Sequence, residues 1–220
     1  MRGARPTARG GFSLVEVAVS LGILVAVLAA LGLALERGMG LFRVRTATSD
    51  VETRAARALE RMVRELRCAA SGTVTDVSTP LGAPKFWAAS LDYRPAEGWK
   101  DDALELGEPC RLELALAPGE LDNGLDDNGD GLADERVVRL VEDAGGPGQR
   151  STVLATNVSA LLDGEVLNGL DDNGNGLVDE AGLCFDQEAN LLTLRLSVEG
   201  RGPGGESIVR TFEDSLVLRN

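Results

Sequence analysis

Nineteen consecutive residues, Val17 to Leu35, carry no charged side chain. As a helix they reach about 30 Å, the thickness of the hydrocarbon core of a bilayer, so a single membrane span is the plainest structure for this part of the chain. The eleven residues before the apolar region hold Arg2, Arg5 and Arg9, no acid, and close on Gly10-Gly11. A basic flank stays on the cytoplasmic side, which sends the residues after the span outward. A cleavable secretory signal would offer small residues after its apolar stretch. Here Glu36-Arg37-Gly38 follow Leu35, so no cut is expected on that side. Between Phe12 and Leu35 the one charged residue is Glu16. A carboxylate in hydrocarbon is costly unless it is paired, so an acid there is a candidate functional residue, the alternative being a side chain that snorkels to the interface.

The 220 residues balance 22 Lys and Arg against 35 Asp and Glu, a formal charge of −13, with no histidine. That field repels phosphate backbones, so general nucleic-acid binding is not expected. Without imidazole the chain lacks the commonest general base, the Ser-His and Cys-His nucleophile pairs and every His-ligated metal site. No enzymatic activity is expected. Cys68, Cys110 and Cys184 show no C-x-x-C spacing, which excludes a zinc ribbon and a thioredoxin-like pair.

Beyond the span, Gly38 and Gly40 soften the helix locally. From Thr46 to Ala70, Val51, Ala55, Leu59, Met62, Leu66 and Ala69 recur at three- and four-residue steps and predict one apolar stripe, with Glu60 and Arg64 paired on the polar side. Ser71-Gly72 then stops the helix. Residues 73–109, with Pro80, Pro84, Pro95 and Pro109 around Phe86-Trp87 and Trp99, read as a loop-rich connector. Strands are predicted at 111–117, 137–142, 152–162, 191–199 and 207–218, with alternation such as Leu112, Leu114, Leu116. The expected fold class is α+β: a long N-terminal helix, half in the membrane and half packed on an antiparallel sheet.

The chain repeats itself inside this head. Glu120 to Glu135 aligns with Glu165 to Glu180 at a constant offset, sharing Asn-Gly-Leu-Asp-Asp-Asn-Gly, then Gly-Leu and Asp-Glu. The first copy sets Asp126, Asn128, Asp130, the carbonyl of Leu132, Asp134 and Glu135 at the spacing by which a short loop wraps a hard cation, with Gly131 at the sharp turn. The second offers Asp171, Asn173, Asn175, the carbonyl of Leu177, Asp179 and Glu180. Asn175 replaces Asp130, so the second site is expected to be the weaker. Calcium in a structural role is the expected ligand. The loops depart from an EF-hand, because Val137 and Gly182 stand where a bidentate glutamate would close the site, and no helix pair flanks them. Metal-free turns are the competing reading, since Asn-Gly is itself a turn former. Against it, seven acids in the first copy and five in the second repel one another without a counterion. Cys110 precedes the strand into the first loop and Cys184 follows the second loop. These two are the expected disulfide, although Cys68 can replace either and three buried thiols is the alternative.

The run Gly11-Phe12-Ser13-Leu14-Val15-Glu16-Val17 resembles the processing site of type IV prepilins and type II secretion pseudopilins. The helix from Arg54 to Arg67 and the closing segment Asp214 to Asn220 are similar to minor pilins and pseudopilins of the J or PilW-like type. The resemblance implies a leader at 1–11, a transmembrane helix at 12–35, its amphipathic continuation at 36–72 and a periplasmic, β-rich head at 73–220, with the acidic loops at 120–135 and 165–180. It implies cleavage between Gly11 and Phe12 by a prepilin peptidase, N-methylation at Phe12, and pairing of Glu16 with the free amine of a neighbouring subunit. Loss of the leader removes three arginines, leaving 19 bases against 35 acids and a balance of −16. The expected protein is a non-catalytic, single-pass subunit of the bacterial inner membrane that helps initiate or cap a pseudopilus or pilus. Its partners would be other minor and major pilins or pseudopilins and exported cargo. The alternative is an unprocessed, membrane-anchored calcium-binding adhesion or recognition module.

Overall fold

The computed structural model describes residues 13–75 and 86–218. The chain divides into two units, one up to Val44 and one from Arg45 onward. Helix α1 runs from Leu14 to Leu66.

In the first unit every described residue is exposed, from Leu14 through the aliphatic run to Phe42 and Val44. The helix is long and apolar enough to cross a membrane, and none of the described residues buries that stretch. It continues through Gly38 and Gly40, where a Cβ would meet nothing within 4 Å. The softened turn expected there does not interrupt the helix. At its start Ser13 and Glu16 form a reciprocal cap. The Glu16 amide donates to Ser13 Oγ at 3.2 Å, and the Ser13 amide donates to Glu16 Oε2 at 3.0 Å. This capping box satisfies two of the amides that a helix start leaves without partners.

The second unit is built on the stripe predicted for α1. Val51, Ala55, Ala58, Leu59, Met62, Val63 and Leu66 are buried in one cluster with Leu112, Val138, Val158, Phe185, Leu194 and Leu196 of the sheet. Burying a side chain of that size contributes about 2 kcal/mol, so the stripe anchors the helix far more firmly than the exposed Glu60–Arg64 pair at 3.0 Å. The helix stops at Leu66, short of Ala70: the Arg67 amide still reaches the Val63 carbonyl, the Cys68 and Ala69 amides tighten onto the Glu65 and Leu66 carbonyls, and the Ala70 amide leaves the helix for the Arg94 carbonyl.

Among the described residues nine strands follow: β1 (Ser90–Tyr93), β2 (Ala96–Lys100), β3 (Ala103–Leu106), β4 (Cys110–Leu116), β5 (Arg136–Glu142), β6 (Arg150–Val158), β7 (Leu183–Glu188), β8 (Leu191–Arg201) and β9 (Ser207–Val217). Seven make one antiparallel sheet in the order β1-β4-β5-β6-β8, with β7 and β9 both paired to β8. β9 pairs β8 over its whole length, from Leu191↔Val217 to Arg201↔Ser207. β2 and β3 form a separate hairpin. The segment expected to be a loop-rich connector therefore contains three strands, and β7 adds a fourth element that was not predicted. Gly182 closes the seam before β7: a Cβ there would lie 1.8 Å from the Ser159 carbonyl oxygen, so only glycine fits. The two acidic loops leave and rejoin this sheet, the first between β4 and β5, the second between β6 and β7.

Candidate cation-binding loops

Each loop is closed at its base by one backbone bond. The Ala117 amide donates to the Glu135 carbonyl and the Leu162 amide to the Glu180 carbonyl, both at 3.0 Å. Above that base the chain turns through left-handed glycines at matching places, Gly124, Gly129 and Gly131 in the first copy and Gly169, Gly174 and Gly176 in the second. A side chain is strained in that conformation, which is why the repeat keeps glycine there.

The carboxylates organise the loops by accepting backbone amides. Asp126 Oδ1 and Oδ2 accept from Gly129 and Gly131 at 2.6 and 2.8 Å; Asp171 does the same with Gly174 and Gly176 at 2.7 and 2.8 Å. Asn128 Oδ1 accepts from the Asp130 amide, and Asp130 Oδ1 from the Leu132 amide. Asn173 and Asn175 repeat those bonds. The sequence repeat is thus a structural repeat at the level of single hydrogen bonds.

Asp134 and Asp179 face elsewhere than expected. The Asp134 carboxylate accepts the Asn123 and Gly124 amides at 2.8 and 2.7 Å, and Asp179 accepts those of Asn168 and Gly169. Both residues have a left-handed backbone, φ 53° and 52°, that swings the side chain to the arm of the loop. They staple each loop to its own beginning. Glu120 and Glu165, absent from the predicted ligands, carry a second pair of staples. Glu120 accepts the Asn128 and Asp134 amides at 2.9 and 3.1 Å, and Glu165 accepts those of Asn173 and Asp179 at 2.9 and 3.2 Å. The offset that aligns the loops begins at these two glutamates, so the repeat itself carried the signal.

Glu135 and Glu180 point into the loops. Glu135 is 2% exposed and Glu180 0%. Glu135 Oε1 accepts from Asn128 Nδ2 at 2.6 Å, and Glu180 Oε1 accepts from Asn175 Nδ2. The other oxygen of each is buried without a partner. Burial pushes both carboxyls above the ordinary glutamate range. The asparagine bonds oppose that shift, and neighbouring acids add to it: Asp130 and Glu120 beside Glu135, Glu165 and Asp171 beside Glu180. Glu199 of β8 is pushed up to about 7 by burial, with Glu135 and Asp130 adding. Leu132 and Leu177 are buried, and their amides donate to Asp130 and Asn175 within the turns. Among the described residues no three Asp, Glu, Cys or His side chains stand close enough together to hold a metal ion. In the second loop Asp179 is turned away, so of the predicted ligands only Asp171 and Glu180 are acids there.

The remaining predicted positions are scattered. Gly11 and Phe12 lie outside the described residues. The expected Cys110–Cys184 bond is not made: Cys68, Cys110 and Cys184 are all free thiols. Cys110 borders the main core, whereas Cys184 is enclosed with Leu162 and Leu177 in a satellite cluster against Trp87, so the fold places the two sulfurs in different surroundings. Compared with models of known protein families, with curated proteins and with solved structures, the chain matches none.

Proposed function

We propose that this chain is a non-catalytic minor pilin or pseudopilin, a subunit of a type IV pilus or a type II secretion pseudopilus that helps initiate or cap the filament. The observation that carries the reading is an apolar helix, exposed from Leu14 to Val44, that starts beside Gly11-Phe12 with an acid at Glu16. Cleavage after Gly11 makes Phe12 the N-terminus and Glu16 the fifth residue. The exposed apolar surface would rest in the inner membrane before assembly and against neighbouring helices afterwards. The pilin-like arrangement extends to the head, where the second half of α1 packs on an antiparallel sheet. In the filament the head meets other pilins or pseudopilins and exported cargo in the periplasm.

Glu16 has two jobs under this reading, and they separate experimentally. Its capping bonds with Ser13 survive Glu16→Gln, because a glutamine also completes a capping box. Pairing with the amine of a neighbouring subunit needs the charge. In cells that assemble the filament, Glu16→Gln is expected to insert and be processed normally yet to be lost from sheared filament fractions. Incorporation equal to wild type would show that Glu16 serves only as a cap and would overturn its role in assembly.

A further inference from the structure

A buried carboxylate oxygen without a donor is among the costliest atoms a fold can hold. This chain holds two at equivalent positions of a repeat, Glu135 Oε2 and Glu180 Oε2. Arg201, whose guanidinium lies against Gly131, leaves Glu135 Oε2 unpartnered. Around each orphan stand groups of the same loop: the side-chain amide of Asn128 or Asn175, which donates through Nδ2 to the glutamate's other oxygen and carries an Oδ1 of its own, and the acids at Asp130 or Asp171, with the carbonyl of Leu132 or Leu177 close by in sequence. Such a set, with no sulfur and no imidazole, suits a hard cation. A flexible loop with about six oxygens suits calcium better than magnesium, which demands a tighter octahedron and keeps its waters.

We propose that each loop is a calcium site closed by its buried glutamate, the ion drawing together groups whose acids do not otherwise stand close enough to hold it: Asp126, Asn128, Asp130, the Leu132 carbonyl and Glu135 in the first copy and Asp171, Asn173, Asn175, the Leu177 carbonyl and Glu180 in the second. Asp134 and Asp179 are left out because their left-handed backbone turns each side chain onto the amides at the start of its loop, whereas Asp126 and Asp171 accept their amides from the turn itself. They and Glu120 and Glu165 position the loop. The glutamates thus stand in for the residue that Val137 and Gly182 lack, reaching the site from two residues earlier. The second site, with Asn175 in place of Asp130, carries one negative ligand fewer and binds more weakly. The inference stands on the head alone, so its failure leaves the filament reading untouched, and failure of that reading leaves this one.

The test is calorimetric titration of the full chain in detergent with Ca2+ alone, repeated with excess Mg2+, alongside thermal unfolding. Two calcium ions per chain are expected, the first bound more tightly and neither displaced by magnesium. Glu135→Gln should lose the first ion and Glu180→Gln the second, whereas Asp134→Asn keeps both. Asn175→Asp should tighten the second site about tenfold through its added charge. Without calcium, Glu135→Gln should melt higher than wild type, because it removes an unpaired buried charge; with calcium it should melt lower. A purely structural glutamate would not reverse sign in that way. No binding at millimolar calcium, two ions retained in the double glutamine variant, or loss of an ion in Asp134→Asn would each overturn the assignment.

Discussion

Cys184 is enclosed by Leu162, Leu177 and Trp87, and burial pushes its thiol up to about 12, against an opposing pull from Arg195. The unfolded chain releases the same proton near 9. The folded pKa is the raised one, so the thiol's contribution is fully present below about 9 and is lost as pH climbs from there toward 12, by about 1.4 kcal/mol per unit. Denaturation measured between pH 9 and 11 should show that loss in the wild type and a flatter profile in Cys184→Ala. Tyr93, likewise raised by burial, remains in both proteins and so drops out of the difference. Equal slopes would mean that Cys184 is not enclosed. In the same protein at pH 8, the exposed Cys68 should react with a maleimide while Cys184 stays silent until unfolding. Residue identity alone showed that three thiols lacked metal spacing. Which of them are enclosed depends on strands far apart in sequence, and no local pattern reports that.

At the scale of elements, the loops are held by staples that the spacing of acids does not reveal. Glu120 and Glu165 are buried, and each accepts two amides of its own loop. Removing both acceptors leaves those amides unsatisfied, so Glu120→Ala and Glu165→Ala should each cost about 2 kcal/mol. Amide exchange should quicken at Asn128 and Asp134 in the first variant and at Asn173 and Asp179 in the second. Unchanged protection at those four amides would contradict the stapling. The ligand candidates were legible because alternate oxygen side chains are a local pattern. The direction of Asp134 was not, since it follows from a left-handed backbone at a residue that is not glycine. The same reasoning explains the strands. β4 announces itself by the alternation of Leu112, Leu114 and Leu116, whereas the β2–β3 hairpin turns at Asp101-Asp102, both left-handed without glycine. In β7, Leu183, Cys184 and Phe185 are buried in succession, so no alternation exists to read.

On the scale of the whole molecule, two solvents are written into one chain. The unit up to Val44 exposes an aliphatic helix that water does not favour. The unit from Arg45 closes its own core around the second half of that helix. The long apolar helix was legible from nineteen uncharged residues, and the stripe from its periodicity, because both are properties of a single helix. The order of the sheet was not, because β8 gathers β6, β7 and β9 from separate stretches of sequence. The proposed filament role would use this division: an apolar segment that can pass from lipid to a helical core, and a head stable enough to ride with it.

The central claim turns on the N-terminus. The measurement that tests it most directly is intact-mass and N-terminal analysis of the protein from membranes of a cell that makes a prepilin peptidase. The account predicts a chain that begins at N-methylated Phe12 and has lost residues 1–11. A chain that retains Met1 and its leader under those conditions would contradict it, and would leave a membrane-anchored recognition module as the better description.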